Sequence, residues 1–200
     1  SGLVGSEMCI RDRVPLLDRK LPDGVKPVRR IVLMDEQEGS NLVVDGPSPD
    51  VRFDPARPGF ASTRLWVTDA TPATITAETL HLPHTIEPPK NGSVCRMITV
   101  PPDAAWAGKV GSKEVSAYFA AMGSPRASTY SPSAPHPYMQ KTESLDFCVV
   151  LEGEVVLVLD LEEVTLKAGE IAIIRGANHA FPNRTSQPAQ IAHMTHGGAW

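Results

Sequence analysis

The sequence predicts an all-β chain, a sandwich or barrel of short antiparallel strands with one clear helix. Three observations carry this. Between Leu145 and Thr195, short apolar runs recur at roughly the 8–12-residue spacing of such folds, each ended by a turn signal. Proline and glycine are frequent, at 19 and 15 residues, which favours many short elements over long helices. Helical periodicity is clear in one stretch alone.

Taken in order, residues 1–13 are set aside. Leu3 to Asp12 looks like the in-frame translation of a transposon-type sequencing adaptor, a scar outside the fold. Residues 14–28 are polar and proline-bearing and read as a flexible arm. Strand-like runs follow at Arg30–Met34 and Asn41–Asp45, with a turn between them. Gly46 to Gly59 reads as a proline-rich loop. Further strands are expected at Thr63–Thr68 and Val94–Val100. Ser112 to Gly123 is the helix: Ser112 can cap its start, Gly123 can close its end, and Val115, Phe119 and Met122 share one face. The last strands are expected at Leu145–Leu151, Glu154–Asp160, Glu163–Leu166, Ile171–Ile174 and Ala189–Thr195. Val155 to Leu159 is apolar on both faces, so something must cover the outside of that strand. The arm, the helix or a second subunit are the candidates.

Bulk composition excludes several roles. Net charge is −4, which gives no electrostatic footprint for nucleic acid or an anionic membrane. No apolar run approaches the roughly 18 residues of a membrane span. The three cysteines, Cys9, Cys95 and Cys148, are too few and too scattered for a disulfide framework, so a reduced, cytoplasmic setting is expected.

The chemistry concentrates in residues 140–183. Gln140, Thr142, Asp146 and Gly153 stand at a fixed spacing. They are followed by Gly169 and then Gly176-Ala177-Asn178-His179-Ala180-Phe181-Pro182-Asn183. This pair of motifs resembles the cupin superfamily. There the first motif reads His-x-His, three or four residues, Glu, six residues, Gly; the second ends in His, three residues, Asn. Gln140 and Thr142 stand at the two histidines, Asp146 at the acid, and His179 and Asn183 at the second motif's His and Asn. A cupin subgroup with the pattern Met-His-Arg-Thr-x-Ser/Thr-x-Asp-Tyr is similar to Met139 through Phe147. That similarity extends upstream to Val28–Val32, Leu65–Asp69 and Val100–Pro102, so residues 29–200 are expected to form a single cupin domain. The resemblance implies an RmlC-like jelly roll, the double-stranded β-helix, with one or two short helices. It implies a small-molecule ligand, and a homodimer joined through edge strands. Some members of the subgroup sit beside polyketide or aromatic-compound pathways.

Cupins of this type hold a divalent metal such as Fe, Mn, Ni or Zn through three histidines and one carboxylate or amide. Here His179 alone remains of the three. The metal set implied is therefore His179, Asp146 and Gln140, with His136 or His193 as a replacement ligand. His136, Tyr138, Gln140 and Thr142 share a face if that stretch is extended. Without metal, the expected working pair is His179 and Asp146, because a buried carboxylate needs a partner and an Asp–His pair can move a proton. Gln140 and Thr142 are expected to orient substrate. Phe181, Tyr138 and Cys148 are candidates for the pocket wall, although Cys148 also reads as a small core residue. Asn183 reads as structural. Two functions stay open: an enzyme acting on an oxygenated or aromatic substrate, or a non-catalytic ligand-binding or accessory cupin whose metal site is lost.

Overall fold

The computed structural model describes residues 20–200. The expected scar at residues 1–13, with Cys9, and residues 14–19 of the expected arm lie outside the described residues. In residues 20–28, Val25 is buried against Val51 and Ala61.

Ten strands and one α-helix follow. A hairpin of β1 (Arg29–Glu36) and β2 (Gly39–Pro47) stands apart. The main sheet contains β3 (Val51–Phe53), β4 (Ala61–Thr68), β5 (Ser93–Val100), β6 (Ser144–Glu152), β9 (Ile171–Arg175) and β10 (Ala189–Gly197). Its order is β3-β4-β5-β10-β6-β9, with every neighbour antiparallel. A second hairpin pairs β7 (Glu154–Val158) with β8 (Glu163–Lys167).

That second hairpin is one edge of a facing layer. Val158 bridges Ala180, His179 bridges Gln140, and Gln140 bridges Ser128. Two layers thus enclose an interior, the antiparallel sandwich that the strand spacing predicts and the jelly roll that the resemblance implies. The turn between β6 and β7 is made by Gly153 at φ 75°, where an added Cβ would press within 3.2 Å of Ala189.

Both faces of β7 are buried, as its composition requires. Val155 and Leu157 join the interior cluster with Val150, Ile174 and Ile191. Val156 and Val158 pack on Met139 and Ala180, with Ala134 beside them. The cover on the outer side comes from the chain's own loop before β6 and the strand at Ala180, not from the helix.

The helix α1 (Ser112–Ala121) buries Val115, Tyr118 and Phe119, and Met122 just beyond it is buried too. Its cap differs from expectation. Gly111 is the N-cap residue and Ser112 is already helical; the Gly111 N–H donates to the Glu114 carboxylate at 3.0 Å. The expected loop at Gly46–Gly59 also hides β3. Its Val-Arg-Phe alternation is short and proline-flanked, which suits an edge strand. Residues 69–92, which carry no strong pattern, are clamped down by two buried arginines. Arg64 donates to the carbonyls of Leu80, Leu82 and Pro83, and Arg96 to those of Thr85 and Ile86.

Candidate functional site

Strand alternation sets the interior residues. On β6, Ser144, Asp146, Cys148 and Val150 are buried while Leu145, Phe147 and Val149 are only half-buried. On β10, Ala189, Ile191, His193 and Thr195 are buried. The register places Thr195 opposite Asp146 and His193 opposite Cys148. These side chains therefore share the inner face, one rung apart.

The contact that results sets His193 beside Asp146, with Nε2 and Oδ2 3.6 Å apart. Both are almost fully buried, at 2% and 3% exposure. Burial pushes the Asp146 carboxyl up. The neighbouring His193 and the Ser144 hydroxyl outweigh that and hold it below the usual carboxylate range. Asp146 Oδ1 and Thr195 Oγ1, both buried, have no hydrogen-bond partner. A buried carboxylate oxygen with a free lone pair is an unspent base.

His179 comes from the facing layer. Its Nδ1–H donates to the Ala177 carbonyl at 2.8 Å, which leaves the Nε2 lone pair to accept from the Gln140 amide at 3.3 Å. Backbone bonds in both directions between Gln140 and His179 lock the two together. Burial lowers the His179 pKa, and the ring is neutral near pH 7. The expected direct His179–Asp146 ion pair does not form among the described residues. Asp146 is taken by His193, because β6 and β10 are neighbours in one sheet whereas His179 sits in the opposite layer.

The remaining candidates separate clearly. Phe181 stands between the two histidine rings, 5.2 Å from His179 and 6.1 Å from His193, edge to face with both. Thr142 spends its hydroxyl on Ser144 at 2.7 Å. Cys148 is fully enclosed in the apolar cluster and burial pushes its thiol up to about 12, so it is neither a nucleophile nor a polar contact. Tyr138 and His136 lie elsewhere, packed around Trp106. The stretch that carries them is a series of bends, not a strand, so the expected alternation from His136 to Thr142 does not hold. Asn183 is buried and structural: its amide donates to the carbonyls of Val100 and Gln187, and its oxygen accepts from Thr185.

Sequence reasoning passed over Thr195 and Arg96. Both were within reach of the same alternation rule. Thr195 follows His193 by two, and Arg96 lies between Val94 and Ile98 on the inner face of β5. Burial lowers the Arg96 pKa to about 10, and Asp146 and Tyr118 partly offset the effect.

The donor set does not fit the divalent metal that the sequence resemblance implies. Among the described residues, no three His, Cys, Asp or Glu side chains come together as a metal site. An amide N–H faces His179 Nε2, the atom that would ligate, and such a group cannot itself bind metal. A surface groove of about 440 Å³ is lined by Glu143, Ser144, Leu145, Arg175 and Trp200. It lies at the strand ends beyond Ser144, not around Asp146 and His193.

Known proteins match this chain in part. Residues 128–195 match the family described as Cupin domain. A stretch of 48 residues is 52% identical to phomopsin biosynthesis cluster proteins C′ and D of Diaporthe leptostromiformis. That stretch is 24% of this chain and 25% of each relative, so the match spans about a quarter of their length. Among solved structures, the Cnp3 cupin domain of Schizosaccharomyces pombe is 10% identical at a TM-score of 0.42, covering 86% of this chain and 88% of that one. A cupin-superfamily sugar phosphate isomerase from Silicibacter pomeroyi is 19% identical at 0.39, covering 86% and 71%.

Proposed function

We propose, for a protein whose residues 128–195 make a cupin domain, that it is a small-molecule enzyme working by proton transfer at Asp146 and His193. The observation that carries this is the unpartnered Oδ1 of a buried, ionised Asp146. In a sealed interior such an oxygen is costly unless it has a task or a ligand.

In this reading Asp146 Oδ1 removes a proton from carbon or oxygen next to a substrate carbonyl. His193 stabilises the carboxylate before transfer, and the Thr195 hydroxyl is free to donate to the oxygen on which charge develops. His179 and Gln140 set the opposite wall, and Phe181 supplies an apolar surface between the histidines. An oxygenated or aromatic substrate of modest size suits this mix. Two free cysteines, Cys95 and Cys148, fit a reducing, cytoplasmic setting.

The test is solvent exchange. The protein is incubated in D2O with a panel of small aromatic ketones and 1,3-dicarbonyl compounds, and deuterium uptake is followed by NMR. Uptake is expected for at least one compound, and Asp146→Asn should reduce it by about 100-fold or more. If no compound exchanges above the protein-free rate, the ligand-binding reading takes its place. The observation on its side is that Gln140 already occupies the His179 lone pair.

The same reading includes a homodimer. On the outer face of the main sheet, Phe147, Leu151, Ile171, Ile173 and Met194 form an apolar surface at edge strand β9, and the last four are exposed. A face of this kind calls for a partner, and a second copy fits the closed symmetry of most oligomers. Light scattering is expected to give the mass of a dimer, and Ile173→Glu that of a monomer.

A further inference from the structure

The groove of about 440 Å³ beyond Ser144 takes no part in the chemistry around Asp146, and its lining continues the apolar surface at β9. Leu145 precedes Phe147 by two on β6, and Arg175 follows Ile173 by two on β9. Alternation therefore sets both groove residues on the outer face of the main sheet, in line with that surface. The register agrees: Leu145 pairs with Arg175, and Phe147 with Ile173.

At the end of the groove stands Trp200, 76% exposed. Its ring has a seat. It rests on Gly176, where an added Cβ would collide with it, and Lys141 Nζ lies 5.1 Å from the ring centre. A seated tryptophan left on the surface, continuous with an exposed apolar strip, marks a contact site. Tryptophan and arginine are also the residues that dominate the energetics of interface centres.

Charge and extent name the partner. Arg175 and Glu143 both line the groove and are exposed, and neither is joined to an opposite charge among the described residues. A surface that carries a ridge, a groove, a cation and an anion complements itself. A two-fold axis can lay each Trp200 in the other copy's groove and each Arg175 against the other's Glu143. A standard interface also takes about 20–30 residues from each partner. The side chains of the β9 face are too few, so the contact must extend, and the groove is where that face continues.

We infer that Trp200 anchors a two-fold contact between two copies of this chain, seated in the partner's groove, with Arg175 of each copy paired to Glu143 of the other. This rests on the homodimer reading above and names what holds the dimer together.

The experiment is sedimentation velocity on the whole chain over a concentration series, with tryptophan emission followed in parallel. The wild-type chain is expected to dimerise, and Trp200→Ala to weaken self-association about 30-fold or more. Arg175→Glu and Glu143→Arg should each weaken it about tenfold, and the two together should restore it, a rescue that apolar contact alone cannot produce. All three side chains are exposed, so circular dichroism should show the native fold in every variant. Emission of the wild type should move to shorter wavelength as dimer forms, and that of Trp200→Phe should not. The inference is overturned if Trp200→Ala dimerises as tightly as the wild type, or if the double charge swap is no better than either single change. In both cases Ile173→Glu still giving a monomer would keep the β9 face as the interface. A dimer that survives Ile173→Glu but is lost in Trp200→Ala supports the anchor and removes that face. A wild-type chain that stays monomeric overturns both and leaves the groove to a different partner.

Discussion

Two aspartate–histidine pairs stand in this fold, one half-buried and one buried, and they are built differently. Asp50 is saturated. His84 Nδ1 lies 3.0 Å from both its oxygens, Arg64 Nε is 2.6 Å away, and Arg52 adds a contact at 3.6 Å. Asp146 has one side-chain neighbour of this kind, His193 at 3.6 Å, and an oxygen to spare. The first pair fastens the segment at residues 79–86 to the sheet through Arg64. The second fastens nothing. A carboxylate with every lone pair spent is a structural joint, and one left partly open inside a sealed layer is available for chemistry.

The sharpest break of this comparison is Asp50→Ala. It leaves the Arg64 and His84 groups buried without their counter-charge, and a loss of about 3–5 kcal/mol is expected in urea denaturation. If the loss is no greater than for Asp146→Asn, the distinction between the pairs falls.

Acid comes next. Asp50 and Asp146 are both held below the usual carboxylate range, so their stabilisation is complete above about pH 4 and fades as pH falls through their native values. Buried histidines act earlier. The His136 pKa is lowered to about 4, mainly by burial, so the ring stays neutral while the unfolded chain takes up a proton below about 6.5. Stability should therefore decline between about pH 6.5 and 4, with His136 contributing roughly 3 kcal/mol of the loss. Denaturation curves at pH 7 and 4.5 check this, and His136→Phe should shrink the difference.

Asp146→Asn should change stability by less than about 1 kcal/mol, because the amide fits the same space and its pair contributes one loose contact. A large loss would make Asp146 a structural residue. The smallest expected effect is that of chelation: exhaustive EDTA treatment should leave Tm unchanged, since no ligand set is assembled around Asp146.

Much of this architecture was legible in the chain. From β6 to β10 the expected strands match the observed ones closely, because alternation and turn residues are local signals, as in Glu152-Gly153 or Lys167-Ala168-Gly169. The partner of Asp146 was not legible as His193. That choice depends on which strand lies beside β6, and the neighbour is β10, the last in sequence. The role of His136 was lost for a similar reason. Bends between Pro135 and Tyr138 remove the alternation that would have aligned it with Gln140. Nothing local marks Arg57, Arg64 and Arg96 for burial, yet all three are buried.

The closure of β7 by Met139, Ala134 and Ala180 has one more consequence. Its outer side is sealed within a single polypeptide, so the hydrophobic interior is complete before any two copies meet. In the proposed dimer, a copy released by dilution is therefore expected to stay folded on its own, at the lower stability that loss of its partner brings.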